Sequence, residues 1–332
     1  MINVKLIKVS ENKIYDITQA CETVTWSGAT LEASRTAEIT YLNAPYDSNI
    51  NVPQIATGDF MTLEESGKEL FFGQFYGIER ASDTGTITYT ANDMMKHLLE
   101  SNGQYNFKNI SAEEITRRVC ADVQVDVGAL AETGISIRSM ICNGTSFYDI
   151  ILGAYTQAYK ATGKKYHAVV KDRKLCVVEA NTIISNFILS DKLNITKSDI
   201  TETMDSIKNR IWIYDDKGNR TGEVKDDESI RMFGVFQDIY EQEEGTDPQA
   251  AAKNMLSVNP TQELKLEAIG DMNCLSGYGV AVEDGATGMK GLYWIKDDKH
   301  TFSGGTHTME LTLSFDKLMD EKDIETEDEN KE

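Results

Sequence analysis

The chain has 332 residues, of which 40% are hydrophobic and 4 are proline, so we expect two or three globular domains rather than bulk disorder. The formal net charge is −21, which disfavours sequence-specific binding to the phosphate backbone of nucleic acids. No stretch approaches the roughly 20 apolar residues of a membrane-spanning helix, so no helical membrane span is predicted.

The region before residue 100 has the alternation of β-strands. Residues 86–90 alternate strictly and place Ile87 and Tyr89 on one face, which is typical of an antiparallel strand with one buried side. Directly after them, methionines and leucines recur at helical spacing and predict a short helix over 91–99. Residues 1–6 also alternate like a strand, so we expect no signal peptide and a cytosolic chain.

The middle of the chain predicts two helices followed by a hairpin. Ser111 and Glu114 form a capping box, which places the start of one helix at Ser111. A second helix is predicted over about 147–162, because Ser146 caps its start and Gly163 ends it. The strands of the hairpin are residues 166–170 and 175–178.

The second half begins with a strand over 209–214, a polar turn and a return strand. Asp247 and Pro248 start a helix predicted to run to about Val258, since proline at the first helical position loses no hydrogen bond. The core face of the last strand is predicted to carry Met309, Leu311, Leu313 and Phe315. The strands predicted after the helix are 261–269, 279–283, 291–296 and 307–315.

One β pattern is written twice, in residues 58–91 and again in residues 277–313. Each copy runs from a glycine through a short apolar strand, a turn, an aromatic strand and a second turn to a strand of strict alternation. The sequence aligns Gly73-Gln74-Phe75-Tyr76 with Gly291-Leu292-Tyr293-Trp294. The pattern indicates either a duplicated architectural module or two similar hairpins, and it fits architecture better than an active site.

These elements predict an α+β fold that is mainly β, with two related antiparallel β domains and an inserted small α/β domain. The acidic end carries one apolar residue between Asp320 and Glu325, too little to offset the roughly 1–2 kcal/mol that ordering each backbone residue costs. We therefore expect it to be mobile from about Met319. The predicted boundaries are 1–102 for the first β domain, 103–200 for the inserted helix, helix and hairpin domain, 201–318 for the second β domain with one helix, and 319–332 for the acidic tail.

The cysteines and histidines form no recognisable metal site. The five cysteines are scattered and never occur as C-x-x-C, so we interpret them as small buried hydrophobic residues in a reducing compartment. The histidines His97, His167, His300 and His307 lack paired-ligand spacing, although the spacing allows His300 and His307 to be neighbours. We predict no metal and no cofactor.

Catalytic motifs do not occur in the sequence. Gly163-Lys164-Lys165 resembles the end of a phosphate loop but lacks the first glycine and the final Ser or Thr, which favours a helix-ending glycine. The glycine run 285–291 precedes a strand, so it does not fit a dinucleotide site. The acid pairs Glu64-Glu65 and Asp297-Asp298 are predicted to be solvated charges in polar turns rather than a glycosidase pair. We expect no catalytic residue and no enzyme.

Acidic residues are spread over the whole chain. The segment from Asp316 to Glu332 holds nine acids and three lysines, so most of the net charge of −21 lies elsewhere. An acidic surface promotes solubility, and it also suits a wall past which DNA slides without binding. Glu64 and Glu310 are candidates for such solvent-facing carboxylates.

Several short motifs follow one another in a characteristic order along residues 1–318. They are Trp26-Ser27-Gly28 with Arg35; Gly58-Asp59; Glu69-Leu70-Phe71-Phe72-Gly73; Ala91-Asn92-Asp93 with Leu98-Leu99; Ser146-Phe147-Tyr148-Asp149-Ile150-Ile151 with Thr162-Gly163-Lys164; Lys208-Asn209-Arg210-Ile211; and Gly291-Leu292-Tyr293-Trp294-Ile295 with Asp298, His300 and Thr308-Met309-Glu310-Leu311. In this order they resemble the XkdQ/YqbQ-like tail hub proteins of prophages and phage-derived contractile particles, within the late-control and baseplate-hub group.

The resemblance implies a mechanical role. Such hubs are trimers in which each subunit donates two related barrel-like, tube-like β domains to a ring with pseudo-sixfold inner symmetry. One face of the ring meets a hexameric tail tube and the other a trimeric spike. The implied partners are further copies of the chain, the tube, spike and tape-measure proteins and other baseplate proteins, with assembly in the bacterial host cytoplasm into a virion or bacteriocin-like particle. No catalytic, cofactor or metal residue is carried over.

Two other classes of function stay open on the sequence. A peptidoglycan hydrolase would show a Glu, Cys/His or zinc constellation, which the sequence does not display. A carbohydrate- or peptidoglycan-binding module would expose aromatic residues in a cleft, whereas Phe75, Tyr89 and Phe315 are predicted to face the core.

Overall fold

The computed structural model describes residues 2–43, 52–81, 85–242 and 247–324. The chain divides into two compact units, Met1–Ser198 with Lys265–Glu332, and Asp199–Leu264. The predicted fold class, mainly β, is confirmed, with several sheets in which most of the described strand pairs are antiparallel and a few are parallel. The boundaries predicted at residues 102, 200 and 318 stay predictions. No described helix is long and apolar enough to cross a membrane.

The strands of the first half are β1 (Ile2–Lys8), β2 (Lys13–Asp16), β3 (Cys21–Ala29), β4 (Thr36–Leu42), β5 (Phe60–Glu65), β6 (Lys68–Arg80), β7 (Thr86–Asn92), β8 (Asn102–Ile110), β9 (Val127–Leu130), β10 (Ile137–Ser146), β11 (Tyr166–Lys171) and β12 (Lys174–Glu179). Those of the second half are β13 (Ile183–Ser190), β14 (Ile195–Thr203), β15 (Arg210–Tyr214), β16 (Arg220–Lys225), β17 (Gln237–Glu241), β18 (Thr261–Ile269), β19 (Gly279–Asp284), β20 (Met289–Ser303) and β21 (Thr306–Ser314). The α-helices are α1 (Met95–Glu100), α2 (Ala112–Asp122), α3 (Phe147–Thr162), α4 (Asp227–Phe233) and α5 (Pro248–Asn254).

The largest sheet contains the same order of six strands twice. The first module has the order β3-β4-β7-β6-β5-β1, which β2 extends, and the second module has β14-β18-β21-β20-β19-β13. The modules join where β3 pairs with β20. One difference is that β1 is antiparallel to β5 whereas β13 is parallel to β19. The predicted duplication is therefore a duplicated sheet, not only two similar hairpins.

The long middle strands β6 and β20 fix the correspondence between the modules. Each pairs first with the preceding strand and then with the following one, and a bulge lies between Phe75 and Gly77 in β6 and between Ile295 and Asp297 in β20. Phe75 N donates to the carbonyl oxygen of Asp59 at 2.9 Å, as Ile295 N donates to that of Tyr278 at 2.9 Å. Phe75 therefore corresponds to Ile295.

The sequence alignment of Gly73 with Gly291 is wrong by two residues, because Gly73 corresponds to Tyr293 in the pairing of the two modules. An even shift keeps every side chain on the same face of a strand, so alternation alone does not detect it. The glycine that opens each copy was aligned correctly. Gly58 and Gly277 have φ of +91° and +86°, a left-handed conformation that favours glycine, and both donate to the middle strand.

The helix ends follow the capping chemistry of the sequence. The Ser111 and Ser146 hydroxyls accept from Glu114 N and Asp149 N at the starts of α2 and α3, and α3 ends at Gly163 with φ of +74°. These starts, and the end of α3, are confirmed. The predicted helix over 91–99 begins later, at Met95, because Ala91 still belongs to β7.

Other boundaries differ from the prediction for similar reasons. The helix that starts at Pro248 ends at Asn254 rather than Val258, because Ser257 forms a β-bridge with Lys208. Phe315 does not face the core: β21 ends at Ser314, and the Phe315 side chain is 53% exposed beside the Tyr293 ring.

Among the described residues of the first unit, two of the apolar cores bear on the account that follows. One fills the first module and includes Tyr41, Phe75 and Tyr89. The other lies between α2, α3 and the small sheets β10-β8 and β11-β12-β9. In the second unit, Ile211 and Ile213 of the sheet β16-β15-β17 pack on Ala252 of α5.

The acidic end, predicted to be mobile from about Met319, packs on α3 as far as Ile324. Met319 is buried and Ile324 packs against the same core, where Gly153 leaves the space for its side chain. Lys322 N donates to the Thr156 hydroxyl at 3.1 Å. The sequence did not indicate these contacts, because Met319 and its partners on α3 come together only in the fold, and the mobility of the tail stays a prediction. The rest of the predicted tail, residues 325–332, lies outside the described residues.

Candidate functional site: the seam between the two modules

The two modules are joined by antiparallel pairing of β3 with β20, from Ala29 opposite Asp297 to Thr23 opposite Ser303. Just beyond β3, Thr30 N donates to the Lys296 carbonyl oxygen at 2.7 Å. We call this pairing, with the side chains of Trp26, Arg35, Asp298 and His300 that pack on it, the internal seam. It converts two separate sheets into one.

A buried ion pair locks the internal seam. Arg35, just before β4, donates to both carboxylate oxygens of Asp298, from Nη1 to Oδ1 at 2.9 Å and from Nη2 to Oδ2 at 2.5 Å. The Asp298 side chain is fully buried, and Oδ1 also accepts from Ser276 N at 2.6 Å. The Arg35 guanidinium carbon lies 4.2 Å from the Trp26 ring centroid. This bidentate, charge-assisted geometry links the first module to the second.

Local sequence explains how Arg35 reaches across. A β-carbon on Gly28 would lie 2.3 Å from Arg35 Nη1, so only glycine leaves room for the guanidinium. Asp93 holds the backbone: it accepts from Arg35 N at 3.2 Å, from the Ser34 hydroxyl at 2.9 Å and from Met95 N at 3.0 Å. Burial raises the pKa of Asp93 to about 6, and these hydrogen bonds act in the opposite direction.

Two histidines continue the polar interior of the seam. His300 is fully buried, and its Nε2 lies 3.1 Å from the Cys274 carbonyl oxygen. Because a carbonyl only accepts, Nε2 carries the proton and Nδ1 accepts from His307 Nε2 at 3.0 Å. Burial lowers the pKa of His300 to about 4, despite the nearby Asp298 carboxylate, so this histidine is neutral at pH 7.

The structure brings together some predicted candidates and not others. His300 and His307 are neighbours, as the spacing allowed. Neither acid pair lies in a polar turn: Glu64-Glu65 end β5 and Asp297-Asp298 lie within β20. Glu64 forms an ion pair with Lys5 at 2.7 Å, and Asp298 is committed to Arg35. A carboxylate held by a guanidinium and a backbone amide is suited to fixing structure.

The remaining polar candidates lie apart from the internal seam. Gly163 ends α3, as predicted, and Lys164 pairs with Glu179 at 3.2 Å. His97 lies beside the Tyr76 hydroxyl, and burial lowers the pKa of His167 to about 4. In the described ranges, no group of three or more His, Cys, Asp and Glu side chains is arranged to hold a metal ion. That the protein uses neither metal nor cofactor stays a prediction.

The cysteines have the character that their scatter predicted. All five are free thiols, and four are buried. Burial raises the pKa of Cys120 and of Cys274 to about 12, which keeps both thiols protonated and unreactive.

Sequence reasoning did not identify the internal seam as a site. It singled out Trp26-Ser27-Gly28, Arg35, Asp298 and His300 only as parts of a family pattern. The residues of the first module are separated from those of the second by more than 260 positions, and no local rule pairs Arg35 with Asp298. The stretch from Lys296 to His300 is polar throughout, so the sequence gives no local sign that Asp298 is buried.

The YqbQ-like family model matches residues 24–314, a range that contains the internal seam and most of both modules. The chain belongs to the YqbQ-like family. The Bacillus subtilis protein XkdQ of the phage-like element PBSX is 29% identical over 313 residues, covering 90% of this chain and 94% of XkdQ.

Solved structures share the fold of this YqbQ-like protein. The 43 kDa tail protein of prophage MuSo2 from Shewanella oneidensis aligns with a TM-score of 0.71 at 15% identity, covering 94% of this chain and 98% of the tail protein. A tail protein from Neisseria meningitidis MC58 aligns with a TM-score of 0.65 at 14% identity, covering 94% and 96%. The fold is therefore that of these tail proteins.

Proposed function

We propose that this YqbQ-like protein is a structural hub of a phage tail or of a phage-tail-like contractile particle. Three copies form a ring, and each contributes two similar β modules, so six modules line the ring. The ring joins a hexameric tail tube to a trimeric spike. The protein acts by shape and contact and not as an enzyme.

The observation that carries this proposal is the repeated strand order within one chain. The orders β3-β4-β7-β6-β5-β1 and β14-β18-β21-β20-β19-β13 place corresponding strands in corresponding positions. A ring of three such chains contains six similar modules. It therefore presents six similar surfaces to a hexameric neighbour and keeps threefold symmetry as a whole. Two symmetries are matched in this way without a separate adaptor protein.

The family and the fold support the proposal. XkdQ is named for a phage-like element, and the structures that align over nearly all of both chains are tail proteins of prophage or bacterial origin. In the internal seam Arg35 and Asp298 are paired with each other and Asp298 also accepts from Ser276 N, which suits a structural joint better than a reaction centre.

The proposed ring has three kinds of neighbour. One face contacts the tube, the other the spike, and the tape-measure protein and DNA pass through the lumen without specific binding. The α/β region around α2 and α3 lies outside the ring and meets other baseplate proteins. Assembly takes place in the host cytoplasm, and the protein ends in the baseplate of the particle.

Mass measurement of purified particles, with a label that locates this chain in averaged images, tests the proposal. We expect three copies per particle at the junction of tube and spike. Six copies, or one copy in a particle without a ring, would contradict the proposed function. The free chain is allowed to be monomeric, because the tube and spike surfaces contribute to assembly.

A further inference from the structure

Two strand edges of the described sheet correspond to the two sides of the internal seam. In β20, Asp297–Ser303 pairs with β21 on one side and with β3 on the other. The corresponding stretch of β6, Tyr76–Arg80, pairs with β7 on one side, while its pairing with β5 ends at Gln74. Among the described strands, β14, the counterpart of β3, ends the order of the large sheet.

We propose that Tyr76–Arg80 of one copy pairs in antiparallel fashion with β14 of the next copy, in the manner of β20 with β3. This inference rests on the proposed ring and names the contact that closes it. Each copy supplies one edge of each kind, so the contact is head-to-tail and forms a closed ring when the rotation per copy allows it.

The register follows from the modules. Because Phe75 corresponds to Ile295 and both bulges add one residue, Glu79 corresponds to Lys299. On the other side, Gly270 N donates to His307 O as Asn43 N donates to Gly85 O, so Glu267 of β18 corresponds to Thr40 of β4.

Thr40 pairs with Thr23 of β3, and the ion pair of Lys197 with Glu267 at 3.2 Å places Lys197 at the position of Thr23. Counting along β14 from Lys197, Thr201 corresponds to Ser27. Ser27 lies opposite Lys299 in the internal seam, so Thr201 is expected opposite Glu79 of the next copy.

Side chains along the two edges suit a contact between copies. Tyr76 is 39% exposed and Ile200 of β14 is 37% exposed, and apolar side chains on an open edge promote pairing with another strand. In the inferred register Arg80 lies opposite Ile200 and diagonal to Glu202, close enough for an attractive pair of charges. The exposed apolar side chains and the pair of Arg80 with Glu202 therefore favour a second copy of the chain at this edge.

A disulfide between copies tests the register. Thr30 and Lys296 form a hydrogen-bonded pair, so Ser27 and Lys299, three residues along each strand, form a pair without hydrogen bonds. In such pairs the α-carbons are about 4.5 Å apart, within the range that a disulfide spans. The variant Glu79→Cys with Thr201→Cys is oxidised in assembled particles and run on a non-reducing gel.

The matched control is Glu79→Cys with Ile200→Cys, because neighbouring residues of a strand point to opposite faces. We expect a covalent ladder up to three chains from the first variant and at most a tenth as much from the control. Rings without the ladder, or equal ladders from both variants, would overturn the pairing and leave the ring standing. Particles of the unmodified protein that contain no ring would overturn the proposed function itself.

Hydrogen exchange on the unmodified protein gives a second reading that needs no cysteine variant. Assembly should slow exchange of amides in Tyr76–Arg80 and in β14 by at least tenfold relative to the free chain. Unchanged exchange at both edges in particles that do contain rings would overturn the pairing.

Discussion

The internal seam and the two open edges occupy corresponding places in the duplicated sheet, but their side chains differ. The internal seam has Asp298 fully buried and paired with Arg35, and His300 fully buried beside it. At the open edge, Ile78 stands in the place of Asp298 and Arg80 in that of His300. Buried charge is tolerated where one chain supplies both partners permanently. An edge that meets solvent before assembly carries side chains that tolerate water.

The largest expected effect breaks the internal seam itself. Asp298→Ala leaves the Arg35 guanidinium without its carboxylate, and removing one partner of a buried ion pair typically costs about 3–5 kcal/mol. We expect a loss of this size in the free energy of unfolding, measured in urea. The matched control is Glu310→Ala, which removes an exposed partner of Lys299 at 3.6 Å and should cost less than about 1 kcal/mol.

A double variant sharpens the comparison of the two seams. Arg35→Met with Asp298→Leu replaces the ion pair of the internal seam by apolar side chains, and the open edge already has the apolar Ile78 at the place of Asp298. Replacing a buried ion pair by apolar residues of similar volume often leaves stability unchanged. The double variant should recover most of the stability that Asp298→Ala loses. If the double variant is as unstable as Asp298→Ala, the ion pair contributes net stability beyond compensating for the burial of its own charges.

The next effect is a dependence of stability on pH that originates in His300. Burial lowers the pKa of His300 to about 4, from 6.5, so the unfolded chain binds its proton at higher pH than the folded chain. Stability from this group is complete above pH 6.5 and falls as the pH drops towards 4, by on the order of 3 kcal/mol.

Asp93, whose pKa is raised to about 6, has the opposite slope over part of this range, and His167, whose pKa is lowered to about 4, adds to the first. The measurement is therefore the difference in unfolding free energy between the protein and His300→Gln at each pH. That difference should favour the protein increasingly from pH 4 to pH 6.5. A difference that is flat with pH would mean that His300 is protonated in the folded state or titrates normally.

A smaller effect concerns the acidic end, which the sequence predicted to be mobile. Met319 is buried against the α2–α3 core, so Met319→Ala should cost about 2 kcal/mol, the low end for a buried methionine, because this segment lies at the edge of the core. The control Glu321→Ala alters an exposed side chain of the same segment and should leave the melting temperature unchanged. Equal melting temperatures for both variants would mean that Met319 adds no stability and that the segment is mobile, as the sequence predicts.

The smallest expected effect is in DNA binding, where we expect none. The net charge of −21 predicts that the protein does not retain duplex DNA in a mobility assay, even at about 50 mM salt, where contacts to phosphate are strong. The candidate carboxylates for a repelling wall are placed differently, since Glu310 is exposed and Glu64 is paired with Lys5. Retention that weakens steeply as salt rises would reveal a basic track in the proposed lumen.

What the sequence could and could not predict follows the distance between interacting residues. Helix starts at Ser111 and Ser146 depend on contacts within four residues and were predicted correctly. The strands and the repeat depend on alternation, which gave the faces but not the register, so Gly73 was aligned two residues away from its counterpart. Phe315 was misjudged because alternation does not show where a strand stops.

The internal seam depends on pairs such as Arg35 with Asp298, which lie 263 residues apart in the chain. The packing of Met319 and Ile324 depends in the same way on α3, whose Gly153 leaves a space that only the folded helix reveals. Neither contact has a local pattern, and a buried acid reads in sequence as an ordinary polar residue. Only the folded sheet shows that Asp298 has a partner.

End-on averages of the assembled ring test most directly the central claim that one chain supplies two equivalent modules to a ring of three. The rotational analysis of such averages should show strong sixfold modulation near the lumen, where the modules lie, and threefold modulation at larger radius, where the α2–α3 region lies. Sixfold modulation at every radius, or no modulation of either order, would contradict the account.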